Sequence, residues 1–288
     1  MLYGTKRMNK EDSTEGNVAS AVEPQIPGAP VSEELVRTAG DPELSEDLAL
    51  ALLKHAELSA EVLEILAKNG NALKSRKVKI ALVSHARTPR HVSVPLARQL
   101  YTFEMMKVAL SAMVPADVKV AVDDLLISRL NTVTVGERLT LARRGSGRVA
   151  AALLTGVESG SGKTKKVDSA EAAAGKSRKG AGADTPELRV MRTALENPRL
   201  TEAMLTNAVL GSGASVALVQ AVARHEKWSL RKEIRAALLR TEHLSLARAL
   251  EFGSEIPMGL RREILASSRL PEKIKEQLLR ESGSVKPV

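Results

Sequence analysis

The most uneven charge in this sequence lies between residues 65 and 103. Eight bases (Lys68, Lys74, Arg76, Lys77, Lys79, Arg87, Arg90 and Arg98) occur there without one Asp or Glu. A second acid-free window, Arg138 to Arg148, contains Arg143 and Arg144. Guanidinium groups make paired, charge-assisted hydrogen bonds to carboxylates and phosphates. The windows therefore predict binding of an acidic partner. Arg87, Arg90, Arg143 and Arg144 are the expected principal contacts, with Lys74, Arg76 and Lys77 beside them. Trp228, the one tryptophan, is a candidate anchor, since Trp is enriched where binding energy concentrates. Its competing reading is a packing residue at the start of a helix.

Reaction chemistry finds less support. The run VESGSGKT from Val157 to Thr164 has the tail of a phosphate-binding loop. That loop needs a first Gly where Val157 stands and a flanking strand, and no parallel-sheet pattern surrounds it. A solvated linker is the expectation. The five histidines (55, 85, 91, 225 and 243) include no metal-ligand pairing, and His85 and His91 are separated by a proline turn. With no Cys at all, thiolate metal sites, disulfides and cysteine nucleophiles are excluded. No Ser–His–Asp set is assignable. The expectation is a protein without catalytic activity, cofactor or metal.

The elements that position the cations follow one frame: a helix start, an apolar residue at +3, a base at +4 and an apolar residue at +7. It appears as Pro115, Val118, Lys119, Val122 and as Ser75, Val78, Lys79, Leu82. It returns as Lys227, Leu230, Arg231, Ile234, as Pro257, Leu260, Arg261, Ile264, and as Pro271, Ile274, Lys275, Leu278. A weaker copy, Thr185, Leu188, Arg189, carries Arg192 at +7. Residues at +3 and +7 share one helical face. Successive +4 bases (79, 119, 189, 231, 261, 275) lie 40, 70, 42, 30 and 14 residues apart, and about 30 residues of the longest interval are low-complexity. A second echo, beginning at Ala51, Ala81, Asp124, Ala194 and Ala237, reads as helix end, polar turn, apolar helix. Such periods predict an all-α protein, an α-solenoid of stacked helical hairpins whose turns align along one edge.

The apolar–basic pair after a Pro or polar start resembles the second helix of HEAT repeats and of the related leucine-rich-repeat-variant proteins, over residues 31–155 and 186–288. Asp117 is the one Asp that precedes a base as in typical HEAT arrays. The resemblance implies a protein-interaction scaffold. Some HEAT-like arrays bind duplex nucleic acid on a basic face, which is the alternative reading.

Composition sets the outer bounds. The chain has 288 residues, 43% hydrophobic, with two Phe, two Tyr and one Trp. The core must therefore be Leu, Val, Ala, Ile and Met, which suits close helix packing and not a sandwich. Net charge is +9, a general attraction to acidic partners. Residues 1–30 lack periodicity and are expected to be a disordered tail. Residues 31–155 form N-terminal repeats, 156–185 a flexible Gly/Ala/Ser/Lys-rich insertion, and 186–288 C-terminal repeats continuing the same stack. Neither a secretory leader nor a run long enough to span a bilayer is found, so a soluble, cytoplasmic protein is expected. The sequence leaves the oligomeric state open.

Overall fold

The computed structural model describes residues 30–156 and 185–280, with side chains from residue 33 onward. VESGSGKT and almost all of the expected tail and insertion lie outside the described residues. The described chain is all-α, with sixteen α-helices, one 3-10 turn and no strand. The first nine helices are α1 (Pro30–Gly40), α2 (Glu46–Leu52), α3 (Ala60–Lys68), α4 (Arg76–Ser84), α5 (Arg90–Ala97), α6 (Thr102–Leu110), α7 (Ala116–Arg129), α8 (Val135–Arg144) and α9 (Gly147–Thr155). The others are α10 (Pro186–Leu195), α11 (Glu202–Leu210), α12 (Val216–Arg224), α13 (Lys232–Leu238), α14 (Leu246–Ser254), α15 (Met258–Ala266) and α16 (Glu272–Arg280).

These helices have 7 to 14 residues, mostly too few to be stable alone in water. Local signals start them. Ser45, Ser59, Ser75, Thr134, Ser146, Thr185, Thr201 and Ser215 each accept the N–H three residues on. Each such cap contributes about 1 kcal/mol. Thr134 and Glu137 complete a capping box, Glu137 accepting the Thr134 N–H at 2.9 Å. The Asp41 carboxylate accepts from the Glu43 N–H in the turn before α2.

Burial holds the helices together. One cluster of Leu, Val and Ala, with Trp228 and Phe252, runs from Ala39 to Leu278. Helices pack largely on the helix two places further along: α1 on α3, α2 on α4, α4 on α6, α5 on α7, α7 on α9, α8 on α10, α9 on α11, α10 on α12, α11 on α13 and α14 on α16. Two of these contacts, α8 on α10 and α9 on α11, together with α9 on α10, join the two sides of the undescribed segment 157–184.

A polar ladder accompanies this packing. Side chains at the end of one helix donate to carbonyls at the end of the helix two before it. Asn69 donates to the Ala39 and Asp41 carbonyls, 30 and 28 residues back. His85 Nε2 meets the His55 carbonyl (3.1 Å) and Arg129 donates to the Leu100 carbonyl (2.9 Å). Asn197 reaches the Ala142 carbonyl (2.7 Å), and Ser268 donates to the Leu239 carbonyl. The Asp41 and His55 carbonyls also accept turn N–H groups, whereas carbonyls at helix ends such as Ala39, Ala142 and Leu239 lack an intrahelical donor, and the ladder satisfies them where packing has buried them.

The repeated frame departs from expectation in two copies. Helix α13 begins at Lys232, so Lys227 starts no helix and Leu230 is 69% exposed. In α15 the faces are exchanged: Leu260 is 48% exposed and the +4 base Arg261 is 7% exposed. Arg261 donates to the Leu278 and Ile256 carbonyls. Arg235 of α13 is likewise buried, bonded to Glu255 and lying 5.3 Å from the Phe252 ring.

Asp123 of α7 is a buried acid whose Oδ1 accepts from Ser146 Oγ, the cap of α9, at 2.8 Å. Burial raises its carboxyl above the usual range, against the lowering effects of the Ser146 bond and Arg148. The folded state therefore holds the proton more tightly than the unfolded chain. The cost of burying the anion is present above the folded pKa and disappears below the unfolded value near 4. Asp123→Asn retains an acceptor for Ser146. It is expected to match or exceed the natural protein in urea midpoint at pH 7, with the gap closing as pH falls. A variant that is less stable at pH 7 would mean that Ser146 and Arg148 outweigh burial.

Candidate interaction surface

The first acid-free window is not a free basic face, because neighbouring helices supply the missing acids. Lys77 pairs with Glu46 at 3.0 Å and Arg87 with Glu57 at 2.7 Å. Arg76 lies 3.7 Å from the centre of the Tyr101 ring and 3.8 Å from Glu104. Lys74 donates to Asn71, and His91 meets Glu64 at 3.3 Å. The Lys77 bond holds the Glu46 carboxyl below its usual value and raises the Lys77 ammonium. Exposed pairs of this kind add little stability, but they cancel the local positive field. Glu57 lies 30 residues before Arg87, one hairpin earlier, and is therefore invisible to a reading of the window alone. Arg90 has no ion-pair partner among the described residues and lines a shallow depression with His91, Val94 and Pro95.

The second window behaves differently. Arg143 and Arg144 occupy the last turn of α8, where the helix dipole favours cations. With Leu139, Thr140, Arg189 and Thr193 they line a groove of about 460 Å³ between α8 and α10, and among the described residues no carboxylate lines it. Among the described residues Arg143 and Arg144 have no ion-pair partner. The backbone beneath them is fixed from α10 and the turn after it. Asn197, 1% exposed, donates to the Ala142 carbonyl at 2.7 Å and the Gly145 carbonyl at 3.2 Å. Arg199 donates to the Arg144 carbonyl at 3.3 Å. Thus Arg143 and Arg144 meet the +4 base Arg189, while Arg87 faces Glu57 and Arg90 lines its own depression. The grouping with Arg189 was missed by sequence reading. Its one sequence signal was that Arg189 occupied the basic position of the repeated frame.

Beside it along α10 a larger groove, of about 990 Å³, opens against α12. Leu188, Leu195, Ala217 and Ala221 contribute apolar lining, and Arg192, Arg224 and Lys227 the charge, with Glu196 and Glu226 also present. Trp228 lies at the end of this groove but within the core. It is 2% exposed, and its indole N–H donates to the Leu195 carbonyl at 2.8 Å. Lys227 Nζ covers the ring at 4.1 Å. Trp228 therefore has no face for a partner, and the packing reading replaces the anchor. His225 Nδ1 accepts the Lys227 N–H, and burial pushes the His225 imidazole below its usual pKa. The neutral ring is thus the form that suits this turn.

No group of three or more His, Cys, Asp or Glu among the described residues is arranged to hold a metal ion. Among them no helix is long and apolar enough to cross a membrane. No family model matches the chain, and no curated protein or solved structure does either.

Proposed function

We propose that this chain is a non-enzymatic interaction scaffold, an α-solenoid of HEAT-like helical hairpins that holds an acidic protein segment in the groove between α8 and α10. The observation that carries this reading is the groove beside Arg189 whose Arg143 and Arg144 have no ion-pair partner among the described residues. Guanidinium forks suit carboxylates, which they bind through paired hydrogen bonds. The flanking Thr140 and Thr193 hydroxyls donate to the Gly136 and Arg189 carbonyls of their own helices, which leaves the arginines as the donors of the groove. Packing of most helices on the helix two places along supports the stacked-hairpin arrangement, which commonly presents extended binding surfaces. A chain without cysteine is compatible with the cytoplasm.

Duplex nucleic acid is the second reading. A phosphate track needs many uninterrupted cations, whereas Glu46, Glu57 and Glu104 interrupt the first basic window. A short acidic segment fits the local groove better.

The test uses a fluorescein-labelled heptaglutamate peptide and an unrelated 20-base-pair duplex, each titrated with the full chain at low salt. Heptaglutamate is expected to bind and to weaken at least tenfold in the Arg143→Glu, Arg144→Glu double variant. Arg87→Glu should change little, because that arginine is already paired. No heptaglutamate binding would overturn the proposal. Stronger duplex binding, lost in the same double variant, would replace it with the nucleic-acid reading.

A further inference from the structure

We infer that the segment bound here is amphipathic, an apolar side chain entering the groove between α10 and α12 while its acids reach Arg143, Arg144 and Arg189 across α10. This rests on the reading above and specifies its partner chemistry. The two grooves share one helix: Arg189 and Thr193 of α10 line the first, Leu188 and Arg192 the second. A ligand that fills one lies at the edge of the other.

Their linings differ in kind. Among the described residues the α8/α10 groove is lined by Arg143, Arg144 and Arg189 and by no acid. In the α10/α12 groove bases are opposed by Glu196 and Glu226, so excess carboxylate finds no strong preference there. What it offers is Leu188, Leu195, Ala217 and Ala221. Ala217 and Ala221 are one turn apart on α12, and their small side chains leave room for a bulky one. Both are half-buried, so an incoming apolar group would remove more of their surface from water.

The spacing of the motif follows from helix geometry. Packed helices lie about 8–10 Å apart, so the centres of the two grooves are separated by a similar distance. An extended peptide advances about 3.3 Å per residue. The apolar residue is therefore expected about three positions from the first acid.

Two labelled hexapeptides distinguish this inference from the simpler one. One carries phenylalanine, glycine, serine and three glutamates, and the other has glycine in place of phenylalanine. Fluorescence anisotropy with the full chain is expected to give at least tenfold tighter binding for the first, the order expected from burying most of one aromatic side chain. The double variant Ala217→Gln, Ala221→Gln fills the second groove without changing charge. It should abolish that advantage and leave the glycine peptide unchanged. Equal affinities in the natural protein, or an advantage that survives groove filling, would overturn the inference and leave the acidic reading standing. Failure of both peptides to bind would overturn both. Sedimentation of the unliganded protein provides a separate check: a dimer that groove filling dissociates would make a second copy the occupant and overturn the inference as well.

Discussion

Trp228→Ala is expected to lower the unfolding free energy by about 3–5 kcal/mol, the range for emptying a buried aromatic site. The side chain is 2% exposed in a core with otherwise little aromatic volume, so neighbouring Leu and Ala residues cannot refill the space. The loss has a polar component too, because the Leu195 carbonyl would lose the indole N–H that reaches it at 2.8 Å. Trp228→Phe separates the two. It retains most of the ring and is expected to cost about 1–3 kcal/mol, the penalty for a buried group left unpaired. Urea denaturation followed by circular dichroism measures both, since removing the one tryptophan also removes the fluorescent reporter. A loss below 1 kcal/mol for Trp228→Ala would contradict a core role. Binding to the α10/α12 groove should weaken as well, because Trp228 ties the end of α10 to the turn after α12.

Gly147→Ala is expected to be the second severe substitution. A Cβ at Gly147 would lie 2.2 Å from the Arg199 carbonyl oxygen, 3.0 Å from its carbon and 2.8 Å from Met204 Sδ. A methionine end can swing aside, but a backbone carbonyl moves only with its chain. The start of α9 must therefore separate from the turn between α10 and α11, at a cost of about 3 kcal/mol, the upper part of the usual overpacking range. That same turn carries Asn197 and Arg199, which bond the end of α8. Heptaglutamate binding should consequently fall even though no arginine has changed. Gly136→Ala is the control. Nothing lies within 4 Å of its added Cβ, and within α8 it should stabilise by about 0.5–1 kcal/mol. If the two alanines had equal effects on the urea midpoint, the close approach at Gly147 would be refuted.

Helical class and most helix starts were legible because their determinants are local. Ser59 and Ser75 cap three residues ahead, and Thr134 with Glu137 form a box within one turn. The spacing of the repeats was less legible. The basic frame falls on α4, α7 and α10, every third helix, 40 and 70 residues apart, the second interval including the low-complexity segment. The polar ladder and the packing follow every second helix, as Asn69 to Ala39 and His85 to His55 do, each 30 residues apart. An amphipathic face recurs whenever a helix needs burial, whichever helix it packs on, so the frame marked helices without identifying their neighbours. Charge was misread for a related reason. Arg87 looked unopposed because Glu57 approaches from the preceding hairpin. The burial of Arg261 was not legible, because the carbonyls of Ile256 and Leu278 that hold it are backbone groups, which no side-chain pattern reveals.

The polar ladder has a direction. Asn69, His85, Arg129, Asn197, Trp228 and Ser268 all donate backwards, to a carbonyl made earlier in the chain. Translation also proceeds in that order. The donors of these carbonyls come 28 to 33 residues later in the chain, and for Ala142 55 residues later. The growing end is thus always the least finished part of the molecule, and a stalled or shortened chain ends in a row of acceptors awaiting their donors.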